Sequence, residues 1–138
     1  MGIGEGRLSS AEIGELGEQL AALFLRQQGW KLLRRNFVAA QGGEVDLVMR
    51  GGKTLEELVF VEVKTRTQDQ IGRPLDAVDR EKQRLIQRGG NEWLQEIRLG
   101  DRQKAEEEKL KVAHRYDVVE VILIEGEKPR VNLVQNAF

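Results

Sequence analysis

The sequence predicts an α/β domain in which a mixed sheet is flanked by helices, with the elements in the order helix, three strands, helix, two strands. Three observations predict it. A capping pattern opens a run whose apolar residues recur at helical spacing. Short glycine-containing turns separate three strand-like runs, which should therefore pair as an antiparallel meander. A long excursion between Thr67 and Arg115 carries a second helical pattern and ends in an apolar strand, which suits a crossover to a parallel neighbour.

The first helix is expected over residues 9–28. Ser9 with Glu12 three residues later has the form of a capping box, and Gly29 stands where a C-terminal cap belongs. Ile13, Leu16, Leu20, Leu23 and Phe24 make its apolar stripe. Residues 30–38 read as a strand, with Trp30, Leu32 and Leu33 set among basic residues, and Gln41-Gly42-Gly43 as a turn. Residues 44–50 alternate as a strand, Gly51-Gly52 turns the chain, and residues 58–67 (LVFVEVKTRT) carry the strongest strand pattern. Pro74 breaks the chain before a second helix over about residues 79–97, with Leu85, Ile86, Trp93, Leu94 and Ile97 apolar. Gly89-Gly90 inside that helix should cost about 1 kcal/mol per glycine relative to alanine. Residues 99–113 are charged and read as a loop or frayed helix. Residues 116–124 are nearly all apolar, as in a strand buried on both faces, and residues 130–134 form a short last strand. No linker or repeat divides the chain. One domain over residues 1–138 is expected, with residues 1–8 disordered ahead of it.

Composition excludes several classes of function. The 138 residues are 40% hydrophobic and 33% charged, enough apolar material for a core without covalent staples. No apolar run approaches the ~18 residues of a membrane span. The absence of cysteine removes disulfides, zinc thiolate sites and thiol nucleophiles, and a single histidine, His114, argues against a His-based triad. Chemistry must come from carboxylates, lysine, arginine or hydroxyls. The first residues show no signal-peptide pattern, so a cytoplasmic location is expected. The net charge is −1, but it is segregated. Arg26, Lys31, Arg34 and Arg35 form one basic stretch, and Arg80, Lys82, Arg84 and Arg88 another. Such segregation makes either a basic face or two ordinary solvated surfaces.

Acidic residues inside strands point to a site. Glu62 and Lys64 interrupt the most apolar strand, and alternation puts them on one face with Val61 and Val63 on the other. Asp46 breaks the preceding strand in the same way. Paired across the hairpin, Asp46 and Glu62 would repel unless one were protonated or a cation lay between them. Oxygen ligands of this kind suit Mg²⁺ or Mn²⁺, and Lys64 would stand beside them. Glu18 has Gly14, Ala21, Ala22 and Leu25 as helical neighbours, a small-residue surface on which a helix can approach a sheet closely. The plainer alternative is an exposed helical glutamate and a Glu–Lys pair on a wet strand face.

These residues resemble those of the YraN family of small bacterial proteins. The resemblance rests on Gly14-Glu15-Leu16-Gly17-Glu18 with Ala21, Arg35-Asn36-Phe37, Gly43-Glu44-Val45-Asp46-Leu47-Val48 and Val59-Phe60-Val61-Glu62-Val63-Lys64-Thr65-Arg66. It continues through Pro74, Ala77-Val78, Lys82 and Leu85 to Arg115-Tyr116-Asp117-Val118-Val119 and the closing Asn136-Ala137-Phe138. That family is similar to the archaeal Holliday-junction resolvases and the wider restriction-endonuclease-like, PD-(D/E)xK nuclease superfamily. The resemblance implies an αβββαβ core, metal-binding acids at Asp46, Glu62 and Glu18, and a catalytic lysine at Lys64. Lys82 falls on the family's second-helix position and is a candidate phosphate contact. The sequence departs from the superfamily pattern in having Glu44-Val45, with no proline, before Asp46, and in Glu56-Glu57 and Gly89-Gly90.

Three functions are consistent with this reading. The first is a Mg²⁺- or Mn²⁺-dependent endonuclease acting on branched or structured DNA, with Glu18, Asp46, Glu62 and Lys64 in the site. The second is a non-catalytic DNA-binding module using Arg34, Arg35, Arg66, Lys82 and Arg84 on phosphates. The third is an interaction subunit that keeps the fold. Resolvases act as dimers, so the resemblance also admits a homodimer.

Overall fold

In a computed structural model the chain forms a five-stranded sheet with a helix on each face; the structure describes residues 8–53, 56–70, 79–100 and 113–138. The elements are α1 (Ser10–Gln27), β1 (Lys31–Val38), β2 (Glu44–Gly51), β3 (Glu57–Thr67), α2 (Arg80–Gly100), β4 (His114–Leu123) and β5 (Arg130–Val134). This is the expected mixed α/β fold, and every expected boundary falls within a few residues. The sheet order is β1-β2-β3-β4-β5. β3 and β4 are parallel and the other neighbours antiparallel, so the excursion holding α2 is a crossover, as expected.

Alternation along the central strands divides the core in two. Leu47, Met49, Val59, Val61, Val119 and Val121 pack under Ala21 and Leu25 of α1. Val48, Leu58, Phe60, Tyr116 and Val118 pack under Ile86 and Leu94 of α2. β4 supplies both layers, which is why its sequence is almost continuously apolar.

α1 starts with the expected capping box: the Glu12 amide donates to the Ser9 hydroxyl at 3.1 Å, and the Ser9 amide to Glu12 at 3.0 Å. It ends in a Schellman motif, with Gly29 at φ 91° and the amides of Gly29 and Trp30 donating to the carbonyls of Arg26 and Leu25. Trp30 therefore belongs to the cap and not to β1. The buried face of α1 differs from the stripe of large residues. Gly17, Ala21, Ala22 and Leu25 are buried, while Leu23 is 52% exposed. A Cβ on Gly17 would lie 1.8 Å from Thr65 Oγ1, so only a glycine permits this approach of α1 to β3. Leu20 and Phe24, like Val131 and Leu133 of β5, are partly buried against this core layer.

α2 shows the same economy of space. A Cβ on Gly89 would meet the Glu44 amide at 3.0 Å, and one on Gly43 would meet the Gly89 amide at 2.3 Å. Gly90 lies against Tyr116 and Phe60. The two glycines weaken the helix locally and let it touch the start of β2. The expected break at Pro74, the family positions Ala77-Val78 and most of the expected disordered N-terminus lie outside the described residues; Leu8 is placed just before the Ser9 cap. Of the expected charged loop, residues 99–100 belong to α2, and residues 101–112 lie outside the described residues.

Candidate functional site

The β2–β3 ladder runs from Gly51↔Glu57 to Leu47↔Val61, and one step further Asp46 stands opposite Glu62. There the side chain of Asp46 replaces the ladder: its Oδ2 accepts the Val63 amide at 2.9 Å. Glu62 is 4% exposed. Burial pushes its carboxyl up to about 8; the facing Asp46 charge adds to the rise, while Lys82 and Lys64 oppose it. A carboxyl in that range holds its proton at neutral pH, and Glu62 shares a hydrogen bond with Asp46. The pair, Glu62 buried and Asp46 half-buried, thus has the electrostatics expected of two facing carboxylates that coexist only with a proton or cation between them.

Glu18 approaches from α1. Burial raises its carboxyl and the Asp46 charge raises it further, against a hydrogen bond from Asn36 and the charge of Arg35. The close contact at Gly17 is what lowers Glu18 onto the sheet. A groove of about 290 Å³ opens beside Glu18, lined also by Ser10, Val63 and Thr65. Lys64 lies two residues beyond Glu62 on the same strand face and contributes positive charge to it. Its Cα partner across the parallel ladder is Glu120.

Lys82 reaches the same site from α2, with Nζ 2.7 Å from Glu44 Oε1 and 3.6 Å from Glu62 Oε1. Burial pushes its ammonium down, but the hydrogen bond and charge of Glu44 and the charge of Glu62 outweigh this and the net shift is upward. The close packing of Gly89 on β2, two turns along the helix, sets this position.

The remaining basic residues divide. Arg35 is held by Glu15 at 2.9 Å and Glu18 at 3.5 Å, making it a wall of the site. Arg66 pairs with Glu120 at 3.6 Å and donates to the Gln70 carbonyl. Arg34 is exposed, its guanidinium 5.7 Å from the Phe37 ring centroid. Arg84 is exposed on α2 beside a polar groove of about 400 Å³ shared with Gln41, Arg88 and Asn91. Thus Asp46, Glu62, Lys64 and Lys82 come together; Glu18, paired with Arg35, approaches Asp46 from the α1 side, whereas Arg34, Arg66 and Arg84 lie apart.

Two participants carry a role that the sequence did not assign them. Asn36 holds Glu18 from a left-handed backbone position at φ 51°, and Glu44 anchors Lys82. Both belong to motifs that the sequence carries, Arg35-Asn36-Phe37 and Gly43-Glu44-Val45-Asp46, and membership of those motifs was their only signal.

As donors, Asp46 and Glu62 offer hard oxygen atoms of the kind Mg²⁺ and Mn²⁺ prefer. Among the described residues no three acidic or histidine side chains close into a ready cage. Mg²⁺ commonly takes only one or two carboxylates and keeps water or substrate oxygen in its other positions, so the pair fits such an ion. Asp46 accepts the Val63 amide on one oxygen and shares a hydrogen bond with Glu62.

The model of the uncharacterised protein family UPF0102 matches residues 17–121, a span holding every residue of this site. The chain belongs to the UPF0102 family. This is the YraN family whose motifs the sequence carries. A UPF0102 protein of Geobacter sulfurreducens is 40% identical over 138 residues, covering 100% of this chain and 97% of its own. One of Geobacter metallireducens is 39% identical over 131 residues, covering 95% of each chain. One of Caldicellulosiruptor saccharolyticus is 38% identical over 132 residues, covering 95% of this chain and 100% of its own. No described helix of this UPF0102 protein is long and apolar enough to cross a membrane.

Proposed function

We propose that this protein is a metal-dependent endonuclease that hydrolyses phosphodiester bonds in branched or otherwise structured DNA, on a restriction-endonuclease-like αβββαβ core. The observation that carries the reading is buried Glu62 facing half-buried Asp46, with Lys64 beside them. Opposed carboxylates at the end of a ladder, one buried and one half-buried, cost stability, and a structural role for Asp46 alone does not call for Glu62. The element order α1-β1-β2-β3-α2-β4 supports the core assignment. Asp46 and Glu62, with Glu18 alongside, would hold Mg²⁺ or Mn²⁺. Such an ion supplies Lewis-acid polarisation of a phosphoryl group and a more acidic bound water. Lys64 orients the attacking water and offsets charge growing on the phosphoryl oxygens. Glu62, once ionised, accepts hydrogen bonds from that water. Arg35 keeps Glu18 in place, while Arg84 and Arg34 contact DNA phosphates away from the reacting bond.

The test incubates the purified protein with single-stranded, duplex, flap and four-way-junction DNA, with Mn²⁺ or EDTA. Metal-dependent cleavage that is lost in Asp46→Asn supports the reading; a wild type that cleaves none of them overturns it. A second reading, a non-catalytic DNA-binding module, draws on the Val63–Asp46 bond, which gives Asp46 a structural use. It predicts DNA binding without cleavage and no response to metal.

A further inference from the structure

Lys82 has two carboxylate partners of different kinds. Glu62 is buried and faces Asp46, whereas the Glu44 side chain is about half exposed. The ammonium lies 2.7 Å from Glu44 and 3.6 Å from Glu62, so one lysine bridges the site and its rim. Nothing about a phosphate contact requires this arrangement, since a lysine reserved for DNA gains nothing from leaning on a buried acid. Glu44 is also fixed in place. It begins β2 where Gly43 and Gly89 press the strand backbone against α2, and its amide would be 3.0 Å from a Cβ on Gly89. Glu44 and Lys82 therefore share a rigid frame in which only their side chains can turn.

We propose that Lys82 is the resident cation of the Asp46–Glu62 pair, competing with a divalent ion for it, and that Glu44 is the residue that draws Lys82 aside. The inference rests on the metal-site reading above and adds to it the control of occupancy. With no divalent ion the pair keeps one proton, and Lys82, 3.6 Å from Glu62, offsets part of the negative charge that remains on it. When an ion arrives, two like charges cannot share the pair, and Lys82 withdraws fully onto Glu44, already its nearer partner. Glu44 is thus a positioning residue: it acts on the metal site only through Lys82. The alternative is that Glu44–Lys82 is an ordinary rim ion pair with no bearing on the site.

Mn²⁺ binding separates these, read from the electron paramagnetic resonance of free Mn²⁺ with no DNA present. A unit charge this close, near a protein surface, changes the affinity for another cation by roughly tenfold or more. Lys82→Met, which keeps the apolar stem, should therefore bind Mn²⁺ about tenfold more tightly than wild type, and Lys82→Gln should do the same. Glu44→Gln leaves Lys82 leaning only on Glu62 and should weaken binding. The double variant Lys82→Met/Glu44→Gln should bind as Lys82→Met does, because without the lysine Glu44 has nothing to reposition. Wild type that binds Mn²⁺ while Lys82→Met and Lys82→Gln bind no tighter overturns the inference and leaves the metal-site reading standing. A Glu44→Gln effect that persists in the double variant overturns the role of Glu44. If neither wild type nor the lysine variants bind Mn²⁺, the metal-site reading falls and the inference with it.

Discussion

Glu62→Gln isolates the electrostatic cost built into the site. Glu62 is buried and its carboxyl is raised from an ordinary 4.5 to about 8, by burial first and the Asp46 charge second. A carboxyl raised on folding stabilises the native state below its unfolded value, and that contribution is lost as pH rises through the folded value. Wild type in EDTA should therefore lose stability between about pH 4.5 and pH 8, at a limiting slope of ~1.4 kcal/mol per pH unit for one proton. Carried across the whole window, that slope sets a ceiling of ~5 kcal/mol. Solvent on the open side of the site and relaxation of Lys82 reduce the realised loss to about 2 kcal/mol. Glutamine copies protonated Glu62 in shape and keeps a donor for Asp46, but cannot ionise. Glu18 and Asp117 are raised as well and add slope of the same sign, which the variant retains. Glu12 and Glu15 are lowered, so their effect falls below pH 4.5 and outside the window. The difference between the two proteins is thus the quantity of interest. Thermal melts in EDTA should show Glu62→Gln nearly equal to wild type at pH 5. At pH 8 it should melt higher by about 6–10 °C, at about 3–5 °C for each kcal/mol in a domain of this size. Mn²⁺ should raise the melting temperature of wild type at pH 8 and have less effect on the variant. Parallel pH profiles for the two proteins would refute the reasoning, because they would mean that Glu62 does not ionise differently on folding.

Three further outcomes follow from other parts of the structure. Lys64→Ala should leave the melting temperature nearly unchanged while DNA cleavage falls by ~10²–10³, measured under single-turnover conditions at saturating Mn²⁺; cleavage at the wild-type rate would remove Lys64 from the chemistry. Arg84→Glu should weaken DNA binding alike for different sequences and lower the salt slope by at least about 1, measured by fluorescence anisotropy; an unchanged slope would put the DNA elsewhere. Gly43→Ala should cost about 1–3 kcal/mol, seen in a denaturant melt, because its Cβ would meet the Gly89 amide at 2.3 Å and backbone cannot move aside as a side chain can.

Local patterning determined most of the fold. The Ser9–Glu12 box, the left-handed Gly29, the alternation of β2 and β3 and the doubly buried β4 each act within a few residues, so the chain alone announces them. The candidate pair was legible for the same reason: Asp46 and Glu62 interrupt apolar alternation, and a short hairpin leaves little choice of register. Tertiary packing decided the rest. The face of α1 that is buried depends on how near the helix can come to β3, and small residues win there over the larger stripe because Gly17 meets Thr65. Gly89-Gly90 read as a weakness in a helix and proved to be its contact with β2, since the space a missing Cβ leaves is visible only with the neighbour in place. Arg35 and Arg66 read as phosphate contacts, yet each pairs with an acid distant in sequence, Glu18 and Glu120. Glu44 and Lys82 are 38 residues apart, and only the crossover that lays α2 over β2 makes them partners. Hydrophobic periodicity reports on one element at a time; which charges neutralise one another depends on where those elements dock.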